Sequence, residues 1–164
     1  MVFIYKSAVT EEIHMEIFCL NSYANEKIQL ELIDILGFPE ETSQEGGYDI
    51  ICRLLIQIGS YHINYDKLYS ATGALYRFSD ELKSCYMSLK GKAQYKLLLE
   101  NDFAFEVEMK RSGHAVVIGS FQERPDKQTV LSFEMETDQS CFPSVFQKID
   151  MLKDLYGDKF RMRK

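Results

Sequence analysis

The second half of the chain alternates between apolar and polar residues at strand period. Phe103, Phe105, Val107 and Met109 fall on one side of a predicted strand over 103–110, and Glu106, Glu108 and Lys110 on the other. His114 to Phe121 alternates next, with Val116 and Ile118 opposite Val117 and Phe121. Thr129 to Thr137 repeats the pattern, with Leu131, Phe133 and Met135 inward and Ser132, Glu134 and Glu136 outward. With 94–99 ahead of them, these stretches predict a meander joined by polar connections at 100–102, 111–113 and 122–127.

The first half is less regular. Lys27 to Leu32 alternates as a half-buried strand and ends near Gly37-Phe38-Pro39, where Pro39 lacks a backbone donor. Two apolar runs, Tyr48–Ile58 and Tyr61–Tyr65, flank Gly59-Ser60 and predict a hairpin. Leu68 to Tyr76 extends the strand, with Gly73 marking a bulge. Ile13 to Leu20 fits a strand or a short helix equally well. The loop 40–47 is acidic, contains glycine, and is the segment expected to be most mobile.

Helical signals occur twice. Ser79 precedes Asp80, Glu81 and an apolar stripe of Leu82, Cys85, Tyr86 and Leu89, which predicts a capped helix stopped at Gly91. Pro143 opens a second helix with the stripe Val145, Phe146, Ile149, Leu152 and Tyr156, ended by Gly157. The expected fold is α+β: an antiparallel meander of about seven strands with one inserted and one C-terminal helix. It is expected as a single domain over 1–164: an irregular N-terminal extension (1–26), an α+β body (27–156) and a basic tail (157–164).

Composition narrows the function classes. The net charge of −6 argues against a generic nucleic-acid binder and suits either solubility or attraction to a basic protein partner. No run of about 18 apolar residues predicts a membrane span, and the first residues lack a secretory pattern, so a cytoplasmic protein with reduced cysteines is expected. Cys19, Cys52, Cys85 and Cys141 include no CxxC pair, and His14, His62 and His114 are scattered. No GxSxG, HExxH or glycine-rich phosphate loop occurs. No catalytic residue, metal site or cofactor is therefore assigned.

Two groups of residues invite a functional reading. Glu106, Glu108, Glu134 and Glu136 share the outward side of the meander, joined by Glu100 and Asp102. The row reads either as a solvated sheet face or as a docking surface for a basic protein. A catalytic carboxylate pair would need an apolar pocket, which an outward row does not supply. Asp138-Gln139-Ser140 sits where the last strand meets the last helix and reads as a turn whose side chains bond backbone amides. Tyr61, Tyr65 and Tyr69 are positioned to line a pocket if the sheet holds a small molecule.

The order of motifs resembles the WapI-type immunity proteins of bacteria. Tyr48-Asp49 opens a strand, Phe78-Ser79-Asp80-Glu81-Leu82 opens a helix, and Leu89-Lys90-Gly91-Lys92-Ala93 leads out of it. Gly113-His114-Ala115-Val116-Val117-Ile118-Gly119 follows, then Leu131 to Ser140 with its late Asp138-Gln139. The resemblance spans roughly 27–156 and marks Gly113, His114, Asp138 and Gln139 as its motif residues. It implies a cytosolic protein that binds and neutralises a cognate toxin domain, a nuclease among the candidates, without catalysis. The partner is then a protein, with no direct nucleic acid or membrane contact, in a polymorphic toxin system; the oligomeric state is left open. The alternative is a small-molecule-binding or enzymatic β-domain.

Overall fold

The computed structural model describes residues 5–6 and 13–157. The short β1 (Tyr5–Lys6) is followed by β2 (Ile13–Asn21), β3 (Lys27–Leu36), β4 (Asp49–Ile58) and β5 (Tyr61–Ala71), which pair antiparallel in chain order. Helix α1 (Thr72–Ser88) leads to a second antiparallel sheet, again in chain order: β6 (Lys92–Tyr95), β7 (Phe103–Met109), β8 (His114–Phe121) and β9 (Leu131–Asp138). Helix α2 (Phe142–Tyr156) follows. The α+β class and both helices agree with the sequence pattern. Since β1 has only two residues, each sheet rests on four principal strands.

The strands divide between two sheets because each alternating run has a single apolar face. Two such sheets bury those faces against each other. Phe18 of β2 meets Phe105 of β7 with ring centroids 5.8 Å apart, and Tyr65 of β5 meets Phe121 of β8 at 5.4 Å. Phe78 of α1 lies against Phe18, Tyr95 and Phe105, so the inserted helix joins the same core. Gly119 sits on the inner side of β8 between Phe105 and Phe133; a Cβ there would lie 2.6 Å from Phe105 Cβ and 2.5 Å from the Ala104 carbonyl.

Several sequence expectations are corrected. Residues 13–21 are a strand of the first sheet, not part of an irregular extension. Their period is ambiguous because a bulge between Glu16 and Phe18 turns both Ile17 and Phe18 inward, which breaks the alternation. Residues 1–4, 7–12 and the tail 158–164 lie outside the described residues. Strand β6 ends at Tyr95, short of the expected Leu99.

The largest correction concerns α1. Its expected start at Ser79 is in fact mid-helix, where Ser79 is buried, and the run 72–76 expected as extended forms the first turn. The preceding loop does the capping work instead. Thr72 N–H donates to the Tyr48 carbonyl at 2.9 Å, Gly73 N–H to the Gly46 carbonyl at 3.1 Å, and Thr72 Oγ1 accepts from Tyr48 N–H at 2.9 Å. The absence of a side chain at Gly73 permits this approach, because a Cβ would lie 2.6 Å from Gly46 C. At the other end Leu89, not Gly91, takes the left-handed capping position, although Gly91 also has positive φ.

The loop expected to be mobile is anchored. Glu45 is 1% exposed, and its carboxylate accepts from Leu98 N–H at 2.8 and 2.9 Å and from Leu99 N–H at 2.9 Å. Arg77 of α1 pairs with the same carboxylate at 3.8 Å and donates to the Glu45 carbonyl at 2.7 Å. One buried acid therefore ties the β3–β4 loop to α1 and to the β6–β7 connection.

Candidate functional site

The outer face of the second sheet carries the carboxylates that the sequence singled out. Strand register aligns them in two transverse rows. Gln94, Glu106, Ile118 and Glu134 form one; Lys92, Glu108, Val116 and Glu136 form the other. β7 and β9 are not neighbours, because β8 runs between them. The two carboxylate pairs therefore stand about 10 Å apart, two strand spacings. Between them is an apolar line, Val116 and Ile118, with Ile118 50% exposed.

The two flanks differ electrostatically. On the β7 side, Lys92 pairs with Glu106 at 3.3 Å and Lys110 with Glu108 at 3.1 Å. Gln94 donates to Glu106 at 2.8 Å, and that hydrogen bond, with Lys92 beside it, holds the Glu106 carboxyl below its usual range. On the β9 side, Glu134 and Glu136 are exposed and make no ion pair among the described residues. The accessible negative charge is thus concentrated along β9. The sequence placed Val116 and Ile118 on one side of their strand without relating that side to the glutamates. Only the strand register shows that they share a face.

Gly113, His114, Asp138 and Gln139 come together at one end of this sheet. His114 is the cross-strand partner of Asp138, and the Gln139 side chain occupies the space a Cβ on Gly113 would need, with Nε2 2.6 Å from that position. Gly113 has φ of +79°, which a side chain would also disfavour. Asp138 Oδ1 accepts from Ser140 N–H at 2.7 Å, and Tyr23 donates its hydroxyl to the same carboxylate. The Ser140 and Tyr23 bonds lower the Asp138 pKa, with a smaller contribution from the nearby His114. Thr137 Oγ1 donates to the Asn21 carbonyl at 2.6 Å, which fastens the β9–α2 junction to the β2–β3 turn. These bonds lie within the junction or tie it to the β2–β3 turn.

A third feature is a cleft of about 580 Å³ where β5 and the β8–β9 connection diverge. Tyr61 and Tyr65 line it, whereas Tyr69 does not: its hydroxyl donates to Asp49 and lies 3.4 Å from the Ser43 hydroxyl. Arg124, at the rim, is engaged with Asp126 at 2.8 Å. The one fully buried carboxylate among the described residues, Glu45, faces backbone amides and Arg77 instead of this cleft. No group of three or more His, Cys, Asp or Glu with metal-holding geometry occurs among the described residues. No helix among them is long and apolar enough to cross a membrane.

The arrangement is thus an open sheet face with an apolar centre and charged flanks, beside a cleft bordered by a sheet edge. Comparison with known proteins bears on its use. Neither a curated protein nor a solved structure matched the chain. The sequence pattern of the WapI-like immunity proteins matches residues 19–156, from β2 to the end of α2. With that match covering most of its length, the chain belongs to the immunity protein WapI-like family.

Proposed function

We propose that this protein is a stoichiometric inhibitor that binds a cognate toxin domain in the cytoplasm of the cell it protects and blocks that domain without turnover. Family membership over 19–156 is the observation that carries the reading. The outer face of the second sheet is the proposed contact. Its apolar Val116–Ile118 line between carboxylate flanks has the layout of a protein interface, an apolar centre inside a polar rim. The exposed Glu134 and Glu136 favour a toxin surface bearing Lys or Arg, and speed its approach. Gly113, His114, Asp138 and Gln139 hold the end of that face in place rather than contacting the partner.

A small-molecule reading has less support. The cleft is open, its rim arginine is paired, and the buried acid of the molecule points elsewhere. Coexpression with the toxin encoded in the neighbouring reading frame tests the proposal. Cells should survive and a one-to-one complex should purify. Killing as fast as with an empty vector, together with no complex, sinks it.

A further inference from the structure

The cleft follows a free strand edge. Five consecutive residues of β5, Tyr61 to Tyr65, line it, and Phe121 and Leu131 stand on the opposite wall. β5 pairs with β4 on one side, and no strand pairs with its other side among the described residues. Burial changes sharply along the strand. Tyr61, His62, Asn64, Asp66 and Lys67 are exposed, whereas Leu68, Ser70 and Ala71 are buried. Ser70 is covered by Tyr95, whose hydroxyl lies 2.6 Å from the Ser70 hydroxyl. The uncovered half of the edge therefore coincides with the cleft.

Pairing along the hairpin fixes which backbone groups face that opening. A two-residue turn at Gly59-Ser60 makes Ile58 and Tyr61 a hydrogen-bonded pair, and bonded and non-bonded pairs alternate from there. The N–H and C=O of His62 and Asn64 therefore point away from β4, towards the cleft. Sheet edges are normally guarded by a charge, a proline or a bulge. Here the charges Asp66 and Lys67 and the register shift occur beyond Tyr65, and among the described residues 61–65 face the 121–131 segment, with Glu123, Arg124 and Lys127, only across the cleft.

We infer that this edge receives an extended segment of the toxin domain, added to the first sheet as a further strand hydrogen-bonded to His62 and Asn64. Apolar side chains of that segment would enter the cleft against Ile63, Tyr65 and Phe121. This inference rests on the immunity reading and identifies a second contact of the same partner. The cleft wall at Leu131 opens β9, the strand that carries Glu134 and Glu136, so one partner can reach both surfaces. A second copy of this chain fits poorly. Its own β5 is bonded to β4 on one side and walled by its 121–131 segment on the other, so it cannot enter the slot.

Amide hydrogen exchange read residue by residue, on the full chain alone and with the toxin domain encoded beside it, tests this. The His62 and Asn64 amides should exchange freely alone and slow at least about tenfold in the complex. Asn64→Pro removes one edge donor without touching the β4 ladder, so the fold should persist while affinity falls by about tenfold, the scale of one hydrogen bond. A complex in which the His62 and Asn64 amides stay unprotected, or in which Asn64→Pro binds like the parent, overturns strand addition and leaves the immunity reading standing. No complex at all overturns both. Protection of the His62 and Asn64 amides in a toxin-free dimer would name a second copy as the occupant and overturn the assignment. The exchange readout uses the unmodified chain, so it decides the matter even if the variant misfolds.

Discussion

Replacing Glu45 tests whether one buried carboxylate holds three segments together. Glu45→Ala strips the acceptor from two amides, Leu98 and Leu99, and removes an ion-pair contact of Arg77. A buried donor left without a partner costs about 1–3 kcal/mol. Leu98 and Leu99 are 56% and 67% exposed, so water can reach their amides once the loop shifts, which puts the cost of each near the low end. Arg77, largely shielded in α1, loses its contact with this carboxylate but not its bond to the Glu45 carbonyl, which adds a further amount. The sum is about 2–4 kcal/mol, an expected fall of about 10 °C in Tm for a chain of this size.

Glu45→Gln separates hydrogen bonding from charge. Oε1 alone accepts from both amides, at 2.9 Å each, so an amide oxygen in that place keeps both bonds. The attraction to Arg77 and the 2.8 Å bond from Leu98 N–H to Oε2 are lost, and about 1–2 kcal/mol should follow. Urea unfolding of the three proteins, followed by circular dichroism, gives the comparison. Because the group is buried, the gap between parent and Glu45→Ala should persist at 1 M salt. If Glu45→Ala lies within about 0.5 kcal/mol of the parent, an ordinary surface effect, the anchoring role is refuted.

Three further expectations follow from named contacts. Gly119→Ala places a methyl 2.5–2.7 Å from the Ala104 carbonyl, Phe105 and Phe133, and should cost about 1–3 kcal/mol by overpacking, visible as a lower urea midpoint. Burial and the hydrogen bond to Asp49 push the Tyr69 hydroxyl up to about 12 from its ordinary 10. The unfolded chain therefore loses this proton first as pH rises, so the stability the neutral phenol contributes is intact below pH 10 and drains away by about pH 12. Tyr69→Phe should flatten that alkaline loss in denaturant titrations, and an unchanged slope would count against it. The double change Glu134→Lys with Glu136→Lys should slow toxin association and weaken its salt dependence while leaving Tm nearly unchanged. Stopped-flow rates across a salt series would reveal this, and equal rates would remove β9 from the interface.

Alternation alone was enough to find β7, β8 and β9 and to assign the inward and outward residues of β7 and β9, because a strand with one buried face must place apolar side chains at every second position; β8 is apolar on both sides and its faces were left unassigned. The same rule explains Lys27–Leu32 and the apolar stripe of α2 at helical period. It fails where the chain departs from the period. The bulge at Ile17-Phe18 obscured β2, and the start of α1 was hidden because its amides are satisfied by the distant backbone of Gly46 and Tyr48, not by a neighbouring side chain. Ser79 looked like a cap by local sequence but lies in the middle of a helix that tertiary contacts extend towards Thr72.

The candidate site divides in the same way. Which residues face outward on the meander was legible in order: Glu106, Glu108, Glu134 and Glu136, with Gly113-His114 and Asp138-Gln139 as the motif pair. Which of them are neighbours was not. Register alone places Val116 and Ile118 between the two carboxylate pairs and sets Gln139 against Gly113. Likewise, nothing local to Tyr61–Tyr65 distinguishes a covered strand edge from an open one. The sequence by itself determined the strand faces, the stripe of the last helix and the excess of acid, because these depend on period and composition. The tertiary structure decided the division into two sheets, the anchoring through Glu45 and the cleft along β5, because each depends on segments far apart in the chain meeting in space.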